Sequence, residues 1–155
     1  LEHALQGTCT ALQDVVRSVS TVGGAGWRLW PLCDRPPVRS ADEMAQGLVG
    51  LLGDAAHPMR PYLAQGAGMA IEDAAELQRT LAMHDLDVPL RLRRYALNRW
   101  QRNARVQARS TRNGRIFHAT GPVRWGRDLS LRLLGERVLD VPWLYRGDGS
   151  SASSL

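Results

Sequence analysis

Lysine is missing from this chain: all 20 basic residues are arginine, against 15 acids, for a net charge of +5. Selection for phosphate contacts normally draws on both basic residue types, so codon usage in a GC-rich genome is the simpler cause. The positive charge is therefore weak ground for a nucleic-acid partner. Cysteine is scarce. Cys9 and Cys33 fall in different expected elements, which excludes a disulfide framework and a metal-ligand pair and leaves two free thiols suited to a reducing cytoplasm. The four histidines, His3, His57, His84 and His118, are scattered, which argues against a zinc site; no metal is expected. Long apolar runs are absent too. The longest, residues 47–53, falls far short of the roughly 18 residues a membrane span requires, so no membrane partner is expected. There is no signal peptide or initiator methionine at Leu1-Glu2-His3, and the chain reads as one cut from something longer.

A length of 155 residues suits one ordinary domain. Residues 2–19 carry Leu5, Leu12, Val15, Val16 and Val19 at helical spacing. The glycines at 23, 24 and 26 then form a loop, and residues 27–32 alternate as a half-buried strand does. Pro31, Pro36 and Pro37 interrupt regular structure, residues 40–46 are a polar connection, and residues 48–52 read as a fully buried strand running into Gly53-Asp54. After a loop stiffened by Pro58 and Pro61, a long helix begins at Gly66 and reaches about His84, with Met69, Ala70, Ala74, Leu77 and Leu81 on its buried face. Pro89 fits the first turn of a second long helix, residues 90–118, whose buried side is expected to hold Tyr95, Trp100, Ala104 and Ile116. Gly121-Pro122 stops it. A shorter helix follows over residues 124–135, then a structured segment over 136–145. The fold class is thus α+β, mainly helical with a few strands. One domain spans residues 1–146, and the Gly/Ser-rich residues 147–155 form a disordered tail. Two strands do not make a stable sheet unaided, so these need partners that the chain does not obviously supply.

The segment from Gly53 to Ala74 carries the chemistry. A strand delivers the carboxylate Asp54 at its C-terminal end, where α/β folds place ligands. A proline-stiffened loop follows, and then Gly66-Ala67-Gly68 begin a helix. Without bulky side chains there, a flat ligand can approach the unpaired backbone N–H groups, which together with the helix dipole favour negative charge. Each residue also has a plainer role: Asp54 as a cap, Gly66 and Gly68 for a turn or close packing, His57 as a hydrogen-bonded structural residue. Glu72 and Asp73, one turn into the helix, complement its dipole, a structural role first.

The full order of residue types, Gly-Asp-Ala-Ala-His-Pro, a further proline, Gln-Gly-Ala and Glu-Asp-Ala, resembles the second flavin-contacting motif of the class A flavoprotein aromatic hydroxylases. The salicylate hydroxylase and 3-hydroxybenzoate 6-hydroxylase branch is nearest. Asp34-Arg35-Pro36-Pro37, residues 112–118 and Trp143-Leu144-Tyr145 extend the likeness from about Trp27 to Tyr145. The resemblance implies the C-terminal part of the FAD/NAD(P)-binding monooxygenase fold. It implies FAD as cofactor, with Asp54 on a ribityl hydroxyl, the loop at Pro61 beside the isoalloxazine ring, and the backbone N–H groups of Gly66, Ala67 and Gly68 at the N1–C2=O edge. Reduced flavin is anionic along that edge, and a helix N-terminus stabilises the charge without a titrating side chain. It further implies NAD(P)H as co-substrate and hydroxylation of a phenolic or aromatic acid substrate through a flavin C4a-hydroperoxide. Arg60, in the flavin-facing loop, is a candidate for a substrate carboxylate or simply a surface arginine. No side chain is assigned a catalytic role.

The family also needs an N-terminal Rossmann unit with Gly-x-Gly-x-x-Gly for the FAD pyrophosphate, and no such spacing occurs here. The expectation is a piece of a hydroxylase, inactive alone and binding FAD weakly or not at all. The sequence leaves open whether this chain catalyses anything by itself. The alternative is a non-catalytic remnant acting as an interaction or self-association module, for which a homo-oligomer is conceivable. A third reading starts from the arginine-rich stretch 91–115, which has no acid between Val88 and Arg127 and would suit a polyanion. A solvated face partly paired with acids elsewhere is favoured over it. No salt-sensitive gel shift with duplex DNA or RNA is therefore expected, and a shift that weakens steeply with salt would reverse that preference.

Overall fold

The computed structural model describes residues 3–21, 27–28, 30–138 and 141–145. The expected tail, residues 147–155, lies outside them, as do the glycines of the 22–26 loop. The chain divides into two compact units, Leu1–Leu32 and Cys33–Leu155.

In the first unit, a 3₁₀ turn at His3–Leu5 precedes helix α1, Thr10–Thr21. The helix starts later than its apolar spacing predicts. Gly7 takes a left-handed conformation (φ +88°), and the Thr8 hydroxyl donates to the Leu5 carbonyl, so the chain turns before α1 begins. Val16 is buried, while Leu12 and Val15 face outward. The Trp27 indole N–H donates to the Val16 carbonyl at 3.1 Å. The strand expected over 27–32 is not formed among the described residues: Trp30 and Leu32 are exposed and no backbone ladder joins them.

The second unit is organised by two helices, α2 (Gly66–Leu81) and α3 (Val88–Phe117). Asp87 caps α3 by accepting from the Leu90 N–H at 2.9 Å, and Pro89 sits in its first turn, where a missing N–H costs nothing. Ahead of them, β1 (Ala45–Gln46) pairs antiparallel with β2 (Val49–Gly50) across a turn at Gly47, with Ala45 opposite Gly50. The fully buried strand expected at 48–52 is thus corrected to a two-residue arm of a hairpin, with Leu48, Val49 and Leu52 exposed. A strand is buried on both faces only when neighbouring strands and covering helices exist. Among the described residues β2 pairs with β1 alone, and only Leu92 and Leu51 bring its base into the core. After α3 come α4 (Gly121–Leu134), which begins at the Gly121-Pro122 expected only to end α3, and the short α5 (Pro142–Tyr145).

Two apolar clusters form. Val38, Ala41, Met44, Ala45, Ala56, Leu92, Tyr95 and Ala96 make one; Met69, Val106, Val141 and Leu144 make the other. The buried stripe of α2 is Met69, Asp73 and Thr80, with Leu77 half-buried. Ala74 and Leu81, expected inside, are exposed. Tyr95 is buried as expected, while Trp100, Ala104 and Ile116 are only half-buried. Both misassignments have one cause, which is that polar side chains occupy the inward stripe of each helix.

Near its C-terminal end, α3 accepts a close neighbour. A Cβ at Gly114 would lie 2.5 Å from the Tyr62 ring, so glycine there lets Tyr62 lie against the helix backbone, edge-on to Phe117. The Tyr62 hydroxyl and His118 Nε2 are hydrogen-bonded at 2.9 Å. Gly114→Ala gains about 1 kcal/mol from helix propensity alone. A net loss of about 1–2 kcal/mol is expected instead, because overpacking outweighs that gain. Urea unfolding would measure it, and a stabilised variant would show that Tyr62 does not pack there.

Candidate functional site

The site is assembled around one turn. The Tyr95 hydroxyl donates to the Leu51 carbonyl at 2.9 Å and fixes the chain as it leaves the hairpin. Gly53 then adopts φ +55°, a conformation that favours glycine, and its added Cβ would press on Ala70 at 3.1 Å. The Gly53 carbonyl accepts from the N–H groups of Ala56 and His57, closing the 3₁₀ turn Gly53–Ala55 that presents Asp54 to solvent. Asp54 has no hydrogen-bond partner among the described residues.

Asp54 lies against the start of α2. A Cβ added to Gly66 would sit 3.9 Å from Asp54 Oδ1, so the carboxylate reaches over a helix start with no side chain in the way. Gln65 supplies no side-chain cap, and a Cβ at Gly68 would meet Gln65 Oε1 at 3.1 Å. The first-turn N–H groups of Gly66, Ala67 and Gly68 have no acceptor within the helix by its geometry. One edge therefore offers an open acceptor and, beside it, open donors at the positive end of a 16-residue helix. A planar polar group with a hydroxylated arm meets both requirements, and the ribityl-isoalloxazine part of FAD is of that kind.

The loop after the turn is fastened from behind. Arg35 donates to the Ala56 carbonyl, Gln107 to that of Pro58 at 3.2 Å and Ser110 to that of Arg60 at 2.6 Å. Alternate carbonyls are thus held inward, and an exposed Pro61 opens the 3₁₀ turn Pro61–Leu63, whose Tyr62 and Leu63 are half-buried. Ala64 follows in the left-handed conformation (φ 52°), unusual for a residue with a Cβ, directly before Gln65 and Gly66. Arg60 is paired: its Nε donates to Asp34 Oδ2 at 2.5 Å. The Asp34-Arg35 motif thus works inside this unit, Asp34 holding the Arg60 side chain while Arg35 holds the Ala56 carbonyl and pairs with Glu43.

Sequence reasoning missed the centre of the network, which is Asp73. Its carboxylate is fully buried and accepts four hydrogen bonds. The Gly53 N–H (3.1 Å) and His57 Nε2 (2.5 Å) reach Oδ2; Arg99 Nε (2.8 Å) and Asn103 Nδ2 (3.1 Å) reach Oδ1. Burial alone pushes this carboxyl up, but the hydrogen bonds from His57, Arg99, Asn103 and Gly53 overcome that and bring it down to about 2. Next to it, Glu72 forms a two-pronged pair with Arg102 (2.6 and 2.7 Å) and also meets Arg99. Burial opposes its ionisation, and the two guanidinium groups still hold it below its ordinary value. The dipole role expected of Glu72 and Asp73 is accordingly secondary to these pairs. Likewise the arginine-rich face of α3 is solvated only in part, since Arg99 and Arg102 are buried. One signal was available. Asp73 shares the helical stripe of Met69 and Thr80, and Arg99 and Asn103 stand four apart on the facing helix, where a donor pair matches a carboxylate. No group of three or more metal-ligating side chains occurs among the described residues, nor any helix long and apolar enough to cross a membrane.

Comparison with known proteins places the chain among flavoproteins. A family profile described as an FAD binding domain matches residues 35–110. The 3-hydroxybenzoate 6-hydroxylase of Polaromonas naphthalenivorans is 38% identical over 147 residues, 94% of this chain and 35% of that protein. A 3-amino-4-hydroxybenzoate 2-monooxygenase of Streptomyces platensis is 42% identical over 126 residues, 81% of this chain and 31% of its own length. The 6-hydroxynicotinate 3-monooxygenase of Bordetella bronchiseptica is 48% identical over 79 residues, half of this chain and 20% of its own length. The chain is a class A FAD-dependent aromatic hydroxylase-like protein. Within that class it is similar to the 3-hydroxybenzoate 6-hydroxylases, and it spans about a third of the length of the curated relatives it matches.

Because the Asp73 carboxyl is lower in the folded chain than its ordinary 3.8, folding favours its ionised form. The stability it contributes is complete above about pH 4 and is lost as pH falls through about 2. Urea midpoints measured from pH 6 to pH 2 should fall across that window. In Asp73→Asn the slope should flatten, with a loss of about 3 kcal/mol at neutral pH, since buried donors lose their anion. An unchanged slope in the variant would remove Asp73 from this role.

Proposed function

We propose that this chain forms the flavin-edge portion of an FAD- and NAD(P)H-dependent monooxygenase that hydroxylates a phenolic or aromatic acid. The observation that carries the reading is the side-by-side placement of Asp54 and the bare start of α2 at Gly66. Asp54 accepts from a ribityl hydroxyl. The N–H groups of Gly66, Ala67 and Gly68 face the pyrimidine edge of the ring, where negative charge gathers on reduction. Pro61 borders the ring, and Arg60 is within reach of a substrate carboxylate if it exchanges Asp34 for it. When bound, the flavin supplies the redox and oxygen chemistry, and NAD(P)H supplies the electrons. The relatives named above act on hydroxylated benzoates or a hydroxynicotinate, which supports an aromatic acid as substrate.

The pyrophosphate and adenine of FAD find no Gly-x-Gly-x-x-Gly loop in this sequence, so the chain alone binds FAD weakly and is inactive. The two exposed free thiols suit a cytoplasmic protein. A second reading, a non-catalytic self-associating module, is favoured by the apolar stripe on α4, where Trp125, Leu129 and Leu133 are all exposed.

Titration with FAD at millimolar concentration should raise the melting temperature of the chain and shift the amide resonances of Gly66, Ala67 and Gly68. Asp54→Ala should weaken this binding by about 1–2 kcal/mol, the worth of one hydrogen bond to a charged acceptor, without altering stability. Gel filtration should leave the protein colourless. A tight one-to-one yellow complex would overturn the weak-binding claim. No response of those amides to any flavin would overturn the cofactor assignment.

A further inference from the structure

We infer that His57 and Asp73 are positioning residues for the flavin edge: they do not touch the ligand, and they set the place of Asp54 relative to the first turn of α2. The inference rests on the proposed function for its consequence and on geometry for its substance. The two oxygens of Asp73 serve different neighbours. Oδ1 faces α3, taking Arg99 and Asn103; Oδ2 faces the turn, taking the Gly53 N–H and His57 Nε2. Gly53 and His57 bracket Asp54 on either side in the sequence, so both ends of the short turn carrying Asp54 are tied to one carboxylate oxygen. That oxygen belongs to α2 itself, two turns beyond Gly66, on a rigid 16-residue helix. The acceptor at Asp54 and the donors at Gly66 to Gly68 are therefore parts of one body.

His57 carries a second sign of this role. It is fully buried, and its Nδ1 has no hydrogen-bond partner. An unpaired polar atom in a dry interior is costly, and an apolar side chain of similar size would fill the space without that cost. What the histidine contributes is its other nitrogen, which lies 2.5 Å from Asp73 Oδ2 and, facing a carboxylate, donates there. The plainer role, a structural residue, describes the same bond without saying what it positions. The two roles differ in which substitutions disturb the ligand.

The experiment compares His57→Leu, His57→Gln and Asn103→Leu in the whole chain. It uses melting temperature, the backbone amide resonances of the non-proline residues in 54–68 and titration with FMN, which carries the isoalloxazine ring and ribityl chain without adenine; inorganic phosphate controls for the phosphate group. His57→Leu and Asn103→Leu should both lower the melting temperature, each losing one donor to Asp73. Only His57→Leu should shift the Asp54 and Gly66 to Gly68 resonances and weaken FMN binding, by about tenfold. His57→Gln, whose side-chain N–H₂ reaches toward Asp73, should restore both. Equal effects of His57→Leu and Asn103→Leu on FMN, or unmoved resonances in a folded His57→Leu, overturn the inference. If His57→Leu does not fold, His57→Asn replaces it, its amide falling short of Asp73, and unmoved resonances there are equally fatal. If the unsubstituted chain ignores FMN, the proposed function fails, while the resonances of Asp54 and Gly66 to Gly68 in the variants still decide whether His57 and Asp73 hold the turn.

Discussion

A single buried carboxylate holds this structure in register. Asp73 has no access to water, and a charge in that position survives only because four donors surround it. Its partners come from two places in the chain: Gly53 and His57, twenty and sixteen residues before it, and Arg99 and Asn103 on a helix 26 and 30 residues after it. No local rule of helix or strand formation brings these together. Once they meet, α2, α3 and the Gly53 turn can shift relative to one another only by exposing a charge to a dry interior.

The arginines of α3 follow from the same constraint. Arg99 links Asp73 and Glu72, and Arg102 grips Glu72 with two prongs while also donating to the carbonyls of Trp143 and Leu144. A planar guanidinium does this and a lysine ammonium does not, because the fork satisfies two acceptors in fixed directions. Arg102 thereby ties α5 to the pair of long helices, and Arg105 covers the Trp143 ring at 3.8 Å. The basic face of α3 is thus partly internal structure.

Behind the candidate flavin edge, the loop owes its shape to side chains rather than to a ladder. Arg35, Gln107 and Ser110 take the carbonyls of Ala56, Pro58 and Arg60, and His118 takes the hydroxyl of Tyr62. Among the described residues, the outward surface is left with an acceptor without a partner, backbone donors at a helix start and no Cβ at Gly66, the features on which the proposed flavin reading rests. Donors of this kind do not titrate. Their charge complementarity to an anion does not depend on pH, and the Asp73 carboxyl is itself held well below its ordinary value by its donors.

Residue order alone determined the two long helices, the proline-stiffened loop, the glycine-opened start of α2 and the family likeness, because helical spacing, capping residues and turn residues are local signals. Asp54 and Gly66 to Gly68 were legible as neighbours in a motif. The tertiary structure decided the rest. It placed Asp73, Arg99 and Asn103 inside, where an apolar stripe was expected, since whether a polar residue is buried depends on partners remote in the chain. It also left Leu48, Val49 and Leu52 exposed in a minimal hairpin, because an apolar run becomes a buried strand only when other strands lie beside it, and a sequence pattern cannot supply them.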